Sequence, residues 1–64
     1  MNGTINRLFK DKGFGFIRTS EGRDYFFHMS AVQNIEFMEL ELGQEVEFEP
    51  NEGQKGLRAE QVFV

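Results

Sequence analysis

Lys12-Gly13-Phe14-Gly15-Phe16-Ile17-Arg18 and the later Asp24-Tyr25-Phe26-Phe27-His28 decide how this chain reads. Both stretches are rich in aromatic residues and lack a helical period. Glycine turns precede them, Asp11-Lys12-Gly13 and Ser20-Glu21-Gly22, so they read as neighbouring strands. Alternation along a strand then sorts the side chains by face. Phe14, Phe16 and Arg18 fall on one face of the first strand, with Gly15 and Ile17 on the other. In the second, Asp24, Phe26 and His28 lie opposite Tyr25 and Phe27. If Ile17, Tyr25 and Phe27 enter a core, Phe14, Phe16 and Phe26 point outward in the company of Lys12, Arg18 and His28. A slip of one residue would exchange the faces and bury Arg18, Asp24 and His28, three polar groups needing partners. The slip is disfavoured.

Outward from this centre, Thr4 to Phe9 reads as a preceding strand. Val46-Glu47-Phe48-Glu49 alternates apolar and acidic residues, as a strand with one wet face does. Pro50-Asn51-Glu52-Gly53 reads as a turn, and Leu57 to Val64 as the last strand. Ser30-Ala31-Val32 suits a helical turn capped by Ser30. Glu36 to Leu42 fits either a helical turn or an extended loop, with Met38, Leu40 and Leu42 as lid or core packing. Five short strands predict an all-β fold, a small antiparallel barrel whose closure removes exposed edges. Its expected core is Ile5, Ile17, Tyr25, Phe27, Val46, Phe48 and Val62.

The chain of 64 residues is expected to be one domain over 1–64. A domain of this size buries only about 60% of the surface its unfolded chain exposes, so stability is marginal. There is no cysteine and only one histidine, which excludes disulfides, thiolate metal sites and a cysteine nucleophile. No triad or carboxylate pair is legible, so neither catalysis nor a cofactor nor a metal is expected. No apolar run approaches the length of a membrane span and no signal peptide opens the sequence, which points to the cytoplasm.

Charge argues the other way from the aromatic face. Lys+Arg number 7 against Asp+Glu 11, a net charge of -4, whereas phosphate binders are usually basic. The charge is segregated, however. Up to Val32 there are five cations and three anions, giving +2; from Gln33 onward there are two cations and eight anions, giving -6. A local basic face on an acidic molecule is therefore open.

Three adjacent outward phenylalanines cost solubility and need a reason. Flat rings interleaved with cations form a platform on which nucleobases stack while phosphates are held. The alternative is a protein-interaction module that docks a partner on the same phenylalanine face. His28 reads first as a stacking ring, then as a structural hydrogen-bonding group, and last as a general base. Lys55 and Arg58 flank the last turn, where solvation and nucleotide contact are equally good readings.

Lys12-Gly13-Phe14-Gly15-Phe16-Ile17 with Tyr25-Phe26-Phe27-His28 resembles the paired motifs of the bacterial cold-shock domain. The likeness runs from Gly3 to about Val62 and takes in Ser30-Ala31-Val32, Phe37 and the run Gly43-Gln44 through Phe48. Thr19 stands where the RNA recognition motif would carry an aromatic residue, and no room remains for that family's helices. The resemblance implies a five-stranded barrel of the OB type that binds single-stranded RNA and DNA, with pyrimidine-rich strands preferred. It also implies a monomeric RNA chaperone that keeps transcripts unpaired and influences transcription or translation. By position it assigns stacking to Phe14, Phe16, Phe26, His28 and Phe37. Strand contacts fall to Asn6, Arg7, Lys12 and Lys55.

The sequence departs from the family at two places. Where relatives usually carry Lys-Trp-Phe-Asn, this chain has Asn6-Arg7-Leu8-Phe9, and Met29 replaces an aromatic residue after His28. A guanidinium both stacks and holds phosphate, so Arg7 is expected to substitute in part. Met29 offers a softer contact. A platform shorter by one or two bases, with weaker binding and a shallow salt dependence, is the expectation.

Overall fold

The computed structural model describes residues 1–53 and 56–64. Its strands are β1 (Asn2–Phe9), β2 (Phe14–Arg18), β3 (Asp24–His28), β4 (Glu45–Gly53) and β5 (Gly56–Phe63). They close into a barrel in the order β1-β2-β3-β5-β4. Neighbours pair antiparallel except β3 and β5, which meet in parallel at Phe26↔Arg58. Val32 makes a further parallel bridge to Val62.

β2 and β3 occupy the residues their alternation predicts. β4 differs: Pro50 to Gly53 continue the strand instead of turning. Proline in a sheet needs a place where its missing N–H costs nothing, such as a bulge. Here it follows a register shift between Phe48 and Pro50, beyond the Asn2–Thr4 segment that pairs β4 with β1. Between β3 and β4 run two single-turn 3-10 segments, Met29–Ala31 and Phe37–Glu39. The cap of the first is His28, whose side chain accepts from the Ser30 N–H; Ser30 sits inside the turn and is not its cap.

All seven expected core residues are buried, and Phe37, Leu40 and Ala59 join them. Leu40 thus packs inside, while Met38 and Leu42 are exposed. The Tyr25 and Phe48 rings lie 5.0 Å apart, and the Tyr25 hydroxyl reaches the Glu52 carboxylate at 3.2 Å. Gly15 faces inward rather than clearing space beside the outer rings. A Cβ there would stand 2.6 Å from the Arg7 carbonyl oxygen and 2.9 Å from the Phe27 ring. Glycine at this point lets β1 and the Phe27 ring close on β2. Gly13 has φ +77° and turns β1 into β2, the left-handed conformation that glycine alone adopts without strain.

Two bulges reset the alternation. Along β1 the register passes from Ile5↔Ile17 to Arg7↔Phe16, so two steps on β1 answer one on β2. Ile5 points into the core, yet Arg7 and Phe9 come to the outer face. On β5 the pairing moves from Phe48↔Val62 to Pro50↔Ala59, so three steps answer two. Val62 and Ala59 are both buried, which turns Arg58 outward. An inserted residue inverts the side-chain parity beyond it.

Candidate nucleic-acid interface

Cross-strand pairing lays the outer side chains in two rows. Arg7↔Phe16, Phe16↔Phe26 and Phe26↔Arg58 form one row across β1, β2, β3 and β5. Phe9↔Phe14 and Phe14↔His28 form the second across β1, β2 and β3. With strands roughly 4.8 Å apart, the first row spans about 14 Å.

The rings shield one another. Phe9 and Phe14 lie 4.8 Å apart by centroid, and Phe14 and Phe26 lie 5.5 Å apart, both tilted. Phe16 stands edge-on to its neighbours, 6.5 Å from Phe9, 6.2 Å from Phe14 and 5.8 Å from Phe26. Each of the four is half-buried, so the phenylalanines do not stand free in solvent as alternation alone suggests. Edge-to-face and tilted contacts suit the ring quadrupoles and offset part of the cost of keeping a continuous aromatic surface at the outside. Guanidiniums close the cluster: Arg7 lies 5.8 Å from the Phe9 centroid and Arg58 5.0 Å from that of Phe26. Both distances fall within cation–π range.

His28 ends the second row with its ring fixed. Nδ1 accepts the Ser30 N–H at 3.1 Å and lies 2.9 Å from the Ser30 hydroxyl. Met29 is exposed beside it, its N–H bonded to the Gly13 carbonyl at 2.8 Å. Lys12 is exposed in the turn at this end, and Asn6 is exposed in the β1 bulge. Arg18 and Asp24, on the same outer face, are committed to each other through bonds of 2.8 and 3.1 Å. The hydrogen bond from Arg18 holds the Asp24 carboxyl below its ordinary value, against the opposing effect of desolvation.

Of the residues singled out by sequence, Arg7, Phe14, Phe16, Phe26 and His28 share this face, with Asn6, Lys12 and Met29 at its margins. Phe37 does not join them. It is only 5% exposed, and its ring packs 6.0 Å from Phe27 in the core. The loop carrying it is tied to the end of β1 by the Lys10 ammonium, which donates to the Met38 carbonyl at 2.7 Å. Lys55 lies outside the described residues. Phe9 and Arg58 also lie on this face, and both reach it through bulges that alternation alone does not register. A residue pattern that would bury Arg7 and Arg58 was the available signal, since unpaired guanidiniums do not enter cores.

Apart from Asp24, which Arg18 holds, the acids of β4 and β5 are placed or paired away from the rings. Glu45, Glu47 and Glu49 are exposed on β4, the strand two places from both β2 and β3 around the barrel. Glu52 is drawn to Arg23 at 3.3 Å and Glu60 to Asn51 at 2.7 Å. The net charge of -4 is therefore no measure of the field over the rings.

The family model described as 'Cold-shock' DNA-binding domain matches residues 1–64. The "Major cold shock protein" of Streptococcus pyogenes is 49% identical over 57 residues, covering 89% of this chain and 85% of that protein. "Cold shock-like protein CspLB" of Listeria monocytogenes is 48% identical over 60 residues, 94% and 91% of the two chains. "Cold shock protein CapB" of Pseudomonas fragi is 45% identical over 62 residues, 97% and 90%. Among solved structures, "drosophila Unr CSD456" superposes with a TM-score of 0.78 at 33% identity. The match covers 97% of this chain and a quarter (25%) of that longer one.

Proposed function

The chain belongs to the cold-shock domain family, and from that premise we propose that residues 1–64 act as one domain that binds single-stranded RNA and DNA on the β1–β2–β3 face. The observation that carries the reading is the pair of cross-strand rows, four rings flanked by two guanidiniums. Every base has a π-face, so such a surface accepts many sequences; each stacked base contributes about 1–3 kcal/mol by alanine substitution. Ordering a flexible strand and immobilising it consumes much of that gain. Modest affinity with rapid release results. A protein of this kind keeps transcripts unpaired without ATP, because binding open strands shifts the pairing equilibrium by mass action. A monomer acting in the cytoplasm suffices for this role, and the preference for pyrimidine-rich strands rests on the family resemblance. Among the described residues no helix is long and apolar enough to cross a membrane.

Fluorescence anisotropy with labelled oligo-dT and oligo-dU, at low and at physiological salt, tests the reading. Saturable binding that weakens with salt is expected, together with lowered melting of a weak RNA hairpin. Absence of binding even at low salt would favour a protein partner on the phenylalanine face.

A further inference from the structure

We infer that Phe9, with the Arg7 guanidinium over it, is a base-stacking subsite of this face. The inference rests on the nucleic-acid-binding reading above and goes beyond it, since neither the family motif nor alternation assigns Phe9 such a role.

Its grounds are geometric. The bulge after Ile5 carries Arg7 and Phe9 together to the outer face, where Phe9 pairs with Phe14 across the strands. The Phe9 ring is half-buried, 4.8 Å from Phe14 at an interplanar angle of 33°. Phe9 therefore extends the row Phe14–His28 by a further ring, so that a strand laid along that row meets three aromatic side chains in succession. Had Phe9 filled a core site, its ring would pack among Ile5, Ile17 and Phe27; its aromatic contacts are Phe14 and Phe16 instead. Arg7 lies 5.8 Å from the Phe9 centroid. A cation in that position keeps its planar group parallel to a base plane or turns it to a phosphate, which a tryptophan cannot do. Arg7 and Phe9 thus add a cation and a ring to the β1 side of the platform. Leu8 between them stays on the core side.

The chain contains no tryptophan, so a single introduced indole reports without background. Phe9→Trp should retain oligo-dT binding, and its emission should be quenched as the oligonucleotide saturates. Phe63→Trp, paired with Glu47 on β4 and part of neither aromatic row, should show no quenching under the same titration. Phe9→Ala and Phe9→Asn should each weaken binding at least fivefold, as removal of one stacked base requires. Unquenched emission from bound Phe9→Trp would overturn the inference, as would a folded Phe9→Ala that binds within twofold of the parent. If Phe9→Ala does not fold, the Phe9→Trp titration decides alone. A parent chain that binds no oligonucleotide overturns the functional reading as well. A parent that binds, with Phe14→Ala weakened and Phe9→Ala unaffected, overturns only the Phe9 subsite.

Discussion

The Arg58 guanidinium lies 5.0 Å from the centroid of the Phe26 ring, and the same two residues form the register pair that joins β3 to β5. The parallel seam of the barrel and one end of the aromatic row are thus a single contact. Removal of the guanidinium by Arg58→Ala should act on both. Urea unfolding should show a loss of about 0.5–1 kcal/mol, the range for a cation–π contact at an exposed site. Oligonucleotide affinity should fall with it, and Arg58→Lys should recover part of each. Unchanged stability and binding in Arg58→Ala would reduce the contact to coincidence.

Phe16→Ala and Phe37→Ala separate the platform from the core. Phe16 stands edge-on among three rings at the outer face, so its loss should weaken binding by about 1–3 kcal/mol. Those ring contacts also make a stability cost of about 0.5–1.5 kcal/mol expected. Phe37, buried against Phe27, should instead lose about 3–5 kcal/mol of stability. Molecules of Phe37→Ala that remain folded should bind as the parent does. Anisotropy corrected for the folded fraction distinguishes the two, and a stacking role for Phe37 would appear as lost affinity without lost stability.

Gly15→Ala should destabilise the barrel by about 1–3 kcal/mol, the usual cost of overpacking. The added Cβ meets the Arg7 carbonyl oxygen at 2.6 Å and the Phe27 ring at 2.9 Å, and backbone cannot yield as a flexible side chain can. Thermal unfolding measures it. A variant as stable as the parent would mean that β1 and β2 are less closely joined at the bulge than described.

Asp24 gives stability a dependence on acid. The bond from Arg18 holds its folded-state pKa below the ordinary value of 3.8, so the unfolded chain takes up this proton first as pH falls. The contribution is complete above 3.8 and is lost as pH drops through the lower folded value. Both side chains are well exposed, so solvent screening keeps the effect small. Asp24→Asn should flatten the acid limb of stability against pH while changing little at neutrality. Parallel curves for variant and parent would remove the pair from the account.

The salt dependence should be shallow. Among the described residues, Arg7, Lys12 and Arg58 are the cations beside the rings; Arg18 is held by Asp24 and Lys10 by the Met38 carbonyl. Three phosphate contacts on a single strand give a slope of about -2 in log affinity against log salt. A slope several times steeper would show that affinity comes chiefly from charge and not from stacking.

β2, β3 and the central core were legible in the sequence because the alternation there is unbroken. Ile17, Tyr25 and Phe27 could be placed inside, and Phe14, Phe16 and Phe26 outside, from parity and from the cost of burying Arg18, Asp24 and His28. Local chemistry is enough for this, since each strand residue reports its face through its neighbours two places away. The glycine turns between those strands were legible for the same reason.

What the sequence could not settle lies wherever a residue's face depends on a partner strand. Phe9 and Arg58 reach the platform only because β1 and β5 carry bulges, and a bulge is a relation between two strands. The burial of Phe37 depends on how the loop after β3 packs against Phe27. The placing of the β4 acids away from the rings depends on strand order, which joins β5 to β3 and leaves β4 farthest from the site. The amino-acid pattern thus determined that this chain has strands with an aromatic outer face. Closure of the barrel decided which side chains complete that face, because only closure brings non-neighbouring strands into register.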